Sequence, residues 1–129
     1  MSNTPLHSAT SSGVKKGPLP LEGITVVSLE HAIAAPFCTR QLADMRARVI
    51  KIERPGVGDF ARKYDERTRG MASHFVWTNR SKESLTLDLK HADAGPVLEQ
   101  LLAQADVLVQ NLAPGAAARM GLSFEALHA

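Results

Sequence analysis

The chain has 129 residues, 44% of them hydrophobic and 22% charged, with a formal net charge of +2 and one cysteine, Cys38. This length supports a single domain with its own core, and the composition excludes a disordered or fibrous chain. The apolar runs fall far short of a membrane span, and a lone cysteine excludes an intramolecular disulfide or a thiolate metal cluster while fitting a reducing cytoplasm.

Met1 to Pro20 is rich in Ser, Thr, Pro and Gly and has no apolar run of secretory length. It is expected to be a flexible leader, with the domain proper in residues 21–129. Ile24-Thr-Val-Val-Ser-Leu-Glu30 is β-branched and apolar, the pattern of a buried strand. Pro36 should open a helix over Phe37–Ala47, because proline suits a first turn. Arg48-Val-Ile-Lys-Ile-Glu-Arg54 reads as a second strand, closed by Pro55-Gly56. A basic, irregular segment follows to about Ser73, then an aromatic patch, His74-Phe-Val-Trp77, with Phe75 and Trp77 expected as core under that loop. From Arg40 to Arg69, nine Lys or Arg stand against five Asp or Glu, which is either a mixed-charge surface or a site for an anionic ligand.

In Ser84–Lys90 the residues Leu85, Leu87 and Leu89 alternate with Thr86, Asp88 and Lys90, which predicts a third strand with one buried face. Ala92–Ala105 is amphipathic through Val97, Leu98, Leu101 and Leu102, with Pro96 where an early helical turn tolerates it. Asp106-Val-Leu-Val-Gln-Asn111 is a fourth strand; Pro114 starts a short helix that Gly121 ends, and Ser123 can cap another.

Strands alternating with helices imply right-handed crossovers and a mostly parallel sheet, a Rossmann-like α/β layer. Polar pairs then gather at carboxyl ends: Glu30-His31, Glu53-Arg54, Asp88 with Lys90, and Gln110-Asn111. These should line one rim, the usual ligand crevice of an open α/β sheet. The ligand is not an obvious dinucleotide. The turn after the first strand reads HAIAAPFC and has no glycine, whereas a pyrophosphate must approach backbone there. Gly56-Val-Gly58 follows the second strand and is only a partial match, and there is no Walker A sequence. Nucleic acid is poorly supported, because Trp77 and Tyr64 do not interleave with basic residues as a stacking platform would. The five histidines are scattered without metal-ligand spacing, so no metal is expected. Cys38, beside Phe37 and Leu42, should be a buried, inert thiol.

Four runs, PLEGITVVSLEHAIAAPFCTRQLAD, VIKIERPGVGDFAR, NRSKESLTLDLK and DVLVQNLAPGAAARMGLSFEAL, together resemble the amino-terminal part of family III CoA-transferases of the CaiB/BaiF type. The resemblance spans about Pro20 to Leu127 and implies a CoA-binding site. It implies that Arg54 contacts the nucleotide part of coenzyme A, that Leu87, Asp88, Leu89 and Lys90 run along the cofactor, and that Asn111 and Arg119 complete the site. His31 and Ile33 would lie nearest the acyl-transfer centre. Arg54, Lys90 and Arg119 suit the 3′-phosphate and pyrophosphate, and Leu87, Leu89 and Pro55 could shelve the adenine. The implied partners are an acyl-CoA and a carboxylic acid acceptor, and the family's assembly is an interlocked homodimer, which so short a chain is not expected to form.

Two departures stand out. Ala34-Ala35-Pro36 replaces the family's Ala-Gly-Pro, adding a methyl where backbone should approach ligand. Met45-Arg46-Ala47 replaces Leu-Gly-Ala, placing Arg46 where a helix end favours positive φ, at a penalty of roughly 1 kcal/mol. The family's catalytic Asp, which forms a mixed anhydride and then an enzyme–CoA thioester, is expected beyond the position of Ala129. Asp44, Asp65, Asp93 and Asp106 read as surface, loop or capping residues, and Asp59 as a partner of Arg62. Three readings therefore remain: an amino-terminal CoA-binding piece of a CoA-transferase, a stand-alone CoA or nucleotide module, and, disfavoured by the missing glycine, a nicotinamide-dependent oxidoreductase fragment.

Overall fold

The β-branched run after Gly23 forms β1 (Thr25–Leu29), the centre of a four-stranded sheet in a computed structural model that describes residues 18–128. The expected leader, up to residue 17, lies outside the described residues. The order of elements is β1, α1 (Ala34–Asp44), β2 (Arg48–Glu53), α2 (Ser73–Asn79), β3 (Glu83–Thr86), α3 (Ala94–Leu102), β4 (Val107–Gln110), α4 (Ala116–Arg119) and α5 (Phe124–Leu127). The strands lie in the order β3-β2-β1-β4, and every pairing is parallel, with Val27 opposite Ile50 and Leu108 and Ile52 opposite Leu85. The Rossmann-like α/β expectation holds.

Period-two alternation distributes the core between two faces. Val27, Leu29 and Ile52 meet Leu98 and Leu122 on one side, while Val26 and Val49 meet Ala43 and Ala47 on the other. Leu85, Leu87 and Leu89 all join the first cluster, as their spacing predicts.

Three boundaries differ from expectation. Helix α1 begins at Ala34, so Pro36 is its third residue; its missing N–H is one of the first-turn donors without an intrahelical partner. Strand β3 stops at Thr86 because the Asp88 carboxylate accepts the Lys90 N–H at 3.0 Å and its carbonyl accepts the His91 N–H at 2.9 Å, turning the chain out of the sheet. The aromatic patch is helical, forming α2.

Helix ends follow capping chemistry. Ser123 Oγ accepts the Ala126 N–H at 3.2 Å, as expected. Gly121, at φ 71°, ends α4: its N–H reaches Ala118 O, and the Leu122 N–H reaches Ala117 O. Arg46 closes α1 in the same way at φ 85°, with its N–H on Ala43 O and the Ala47 N–H on Leu42 O. The strained backbone expected at Arg46 is present.

Candidate functional site

Parallel strands deliver their carboxyl ends to one edge, and there a cavity of about 550 Å³ opens. Leu29, Ile52, Leu87, Leu89, Leu112 and Met120 give it an apolar lining. Its polar residues include His31, Arg54, Asp88, Lys90 and Arg119, so five of the chemistry-bearing residues singled out in the sequence meet at one site. Leu87 and Leu89 complete that agreement; Pro55 does not line the cavity.

Arg54, Lys90 and Arg119 form no salt bridge among the described residues, although all three side chains belong to exposed residues. They stay available for an anion. The Arg119 guanidinium folds against Gly115, where an added Cβ would sit 3.0 Å from Nη1.

Ile33 and Asn111 stand apart from the lining. Ile33 is the N-cap of α1 and is exposed. Asn111 instead clamps the turn beside it: its Oδ1 accepts the His31 N–H at 3.1 Å and its Nδ2 donates to His31 O at 2.9 Å. Ala32 follows in the left-handed region at φ 63°, with its N–H held by Asp59 Oδ1 at 3.2 Å. Ala35 is buried in α1 and is not part of the cavity wall, so its methyl does not meet the ligand space.

Behind the wall lies a polar block that the sequence reading missed. Lys51 Nζ sits 2.7 Å from Asp59 Oδ2, and Lys82 Nζ 2.6 Å from Glu30 Oε1. Asn79 Oδ1 accepts from both ammoniums, at 2.9 and 3.1 Å, and Thr39 Oγ1 donates to Glu30 Oε2 at 2.6 Å. Burial pushes the Asp59 carboxyl up, but the Lys51 hydrogen bond and the backbone N–H groups of Ala61 and Ala32 outweigh it and hold the group below its usual value. Burial holds the Lys82 ammonium below the usual lysine value, against the pull of Glu30. One signal for this block was available: Lys51 interrupts an apolar run in a central strand, where a buried ammonium requires a carboxylate partner. Lys82, in a hydroxyl-rich turn, carried no such signal.

Asp59 is therefore paired with Lys51 and not with Arg62, as its spacing had suggested. Arg62 instead grips Glu53 through two hydrogen bonds, 2.8 Å from Nε and 2.7 Å from Nη2. Burial raises the Glu53 pKa, yet Arg62, the Asp59 N–H and the Ser84 hydroxyl together lower it to about 2. Gly58 makes this pair possible, since a Cβ there would stand 2.6 Å from Glu53 Oε2. Within the Gly-Val-Gly run, Gly58 is thus a packing requirement, whereas Gly56, at φ 72°, has open space around it.

Two further expectations fail on this face. Cys38 is exposed, because α1 turns that side outward. Trp77 is 47% exposed: it stacks on Phe37 with ring centroids 5.2 Å apart and lies under the Arg40 guanidinium. Phe75 is the inward member of the pair, partly buried, with the Arg62 guanidinium 3.9 Å from its ring centre. No described helix is long and apolar enough to cross a membrane.

Comparisons with known proteins bear on the family and the fold. A sequence profile described as CoA-transferase family III matches residues 21–129. An acetyl-CoA:oxalate CoA-transferase of Acetobacter aceti is 38% identical over 118 residues, covering 92% of this chain and 30% of that protein. A succinyl-CoA:glutarate CoA-transferase of Homo sapiens is 38% identical over 82% of this chain and 24% of that protein. The crystal structure of a CAIB/BAIF family protein from Brucella suis superimposes with a TM-score of 0.77 at 33% identity, over 86% of this chain and 30% of that one. The chain thus spans under a third of the length of each of these relatives.

Proposed function

This chain belongs to CoA-transferase family III, and from that premise we propose that residues 21–129 are one domain forming the coenzyme A-holding wall of an enzyme that moves CoA between an acyl-CoA and a carboxylic acid. The observation that carries this reading is the trio Arg54, Lys90 and Arg119, cations without a carboxylate partner among the described residues, on one cavity at the sheet's carboxyl edge. Coenzyme A presents a pyrophosphate and a 3′-phosphate, which such donors bind through charge-assisted hydrogen bonds. Leu87, Leu89 and Met120 offer the adenine an apolar shelf. His31 and Ala32, held by Asn111 and Asp59, would face the thioester end.

In this reading the chain binds and orients the coenzyme, and no aspartate in it acts as the acyl nucleophile. Asp59 is committed to Lys51, Asp44 to Arg80 and Arg40, Asp65 to Ser73 and Asp106 to the Thr25 N–H; Asp88, on the cavity rim, accepts the Lys90 N–H, and Asp93 lies outside the cavity. The lone exposed thiol of Cys38 suits a reducing cytoplasm.

Titration calorimetry tests the reading. Arg54→Ala and Arg119→Ala should each weaken CoA binding by about 1.5–3 kcal/mol, the range for hydrogen bonds to charged groups. Dephospho-CoA should lose less with whichever arginine meets the 3′-phosphate. Unchanged affinity in both variants would refute the assignment.

A further inference from the structure

The cavity assigned to a polyanion has four carboxylate residues in its own wall: Asp88, exposed on the rim, and the buried Glu30, Glu53 and Asp59. A buried carboxylate near a phosphate repels it with little screening by salt. Each of the three buried carboxylates is neutralised from the side away from the ligand space: Glu30 by Lys82, Asp59 by Lys51, and Glu53 by Arg62. The Lys51 and Lys82 side chains are only 2% exposed, and neither residue lines the cavity. Through Asn79 Oδ1 the two ammoniums and two carboxylates form one continuous block without net charge.

We infer that Lys51 and Lys82 are specificity-determining residues for the anionic ligand, although neither touches it. They keep the back of the wall neutral, so that the rim charges, Arg54, Lys90 and Arg119 against the single carboxylate of Asp88, set the sign of the field in the cavity. This rests on reading the cavity as the coenzyme A site. It differs from a purely structural role in one respect: the effect must scale with the charge of the ligand, and it must reverse sign when the carboxylate is removed in place of the ammonium.

The test titrates CoA, dephospho-CoA and pantetheine, at neutral pH and low ionic strength, into the full chain and into Lys82→Met, Glu30→Gln and the double variant. In Lys82→Met the Lys51 ammonium, 3.8 Å from Glu30 Oε1 in the wild type, is left facing that carboxylate. Lys82→Met should lose CoA affinity by about tenfold or more, lose less for dephospho-CoA, and leave the uncharged pantetheine unaffected. The double variant should recover most of the CoA affinity, although it too lacks the Lys82 bonds to Pro36 O and Asn79. Glu30→Gln should bind CoA more tightly than the wild type.

Equal losses for all three ligands, or a double variant as weak as the single, would overturn the inference in favour of packing alone. If Lys82→Met does not fold, Glu30→Gln decides: a structural network loses affinity whichever partner is removed, whereas the charge argument requires a gain. Wild-type protein that binds CoA no better than pantetheine would remove the coenzyme reading itself and this inference with it. Wild type that prefers CoA, with variants keeping the same preference, would remove only the inference.

Discussion

Replacing Arg46 by glycine should stabilise this protein, and the size of the gain follows from the helix end it occupies. Arg46 sits at φ 85° in a hydrogen-bonded helix stop, with its N–H on Ala43 O at 3.0 Å and the next N–H on Leu42 O at 3.0 Å. A residue with a Cβ meets about 1–2 kcal/mol of steric penalty in that region. Glycine removes the penalty but adds unfolded-state freedom worth roughly 0.5–1 kcal/mol. Arg46 is exposed and makes no ion pair among the described residues, so no other interaction is lost. The net gain is about 0.5–1 kcal/mol, or roughly 3–5 °C in Tm for a domain of this size. Gly121 supplies the mirror experiment. It makes the same stop at φ 71°, with open space where a Cβ would stand, so Gly121→Ala should lose about the same amount. Differential scanning calorimetry of both variants, with Arg46→Ala as the charge control near wild type, reads the difference. A lower Tm for Arg46→Gly, or an unchanged one for Gly121→Ala, would refute the argument from backbone strain.

Three more outcomes are expected. Glu53 has a folded pKa of about 2 against an ordinary 4.5, so its contribution to stability is fully present above about pH 4.5 and is lost as pH falls toward 2. The shift corresponds to roughly 3 kcal/mol, nearer 2 once solvent screening at half-exposed Arg62 is allowed for; urea unfolding of wild type and Glu53→Gln should converge across that window, and curves that stay parallel would count against it. Asn111→Ala removes both bonds to the His31 backbone, so it should lose about 1–3 kcal/mol of stability and weaken CoA binding without altering the phosphate dependence. Cys38, exposed on α1, should react stoichiometrically with a thiol reagent in the native state; reaction only after unfolding would contradict its placement.

Much of this protein was legible in order along the chain. The Thr25–Leu29 and Arg48–Glu53 runs are β-branched and apolar, and such runs separated by amphipathic stretches admit few topologies besides a parallel layer. That layer brings its carboxyl ends together by construction, so His31, Arg54, Asp88 and Lys90 could be placed on one rim from their positions alone. Local backbone chemistry was equally readable, as the positive φ at Arg46 and the Ser123 cap show. Which charge meets which was decided only by tertiary structure. Asp59 stands three residues from Arg62, yet it reaches Lys51, because Gly58 lets the loop lie close over Glu53 and Glu53 captures the arginine first. Lys82 meets Glu30 from 52 residues away, and Asn79 joins it to Lys51 only once α2 packs beside α1. Pairing among buried charges depends on distances of a few ångströms between distant segments, and nothing in one-dimensional spacing encodes those distances. The exposure of Cys38 and Trp77 has the same origin: hydrophobicity sets a preference for the interior, but the way α1 and α2 rotate against the sheet decides which side chains receive it.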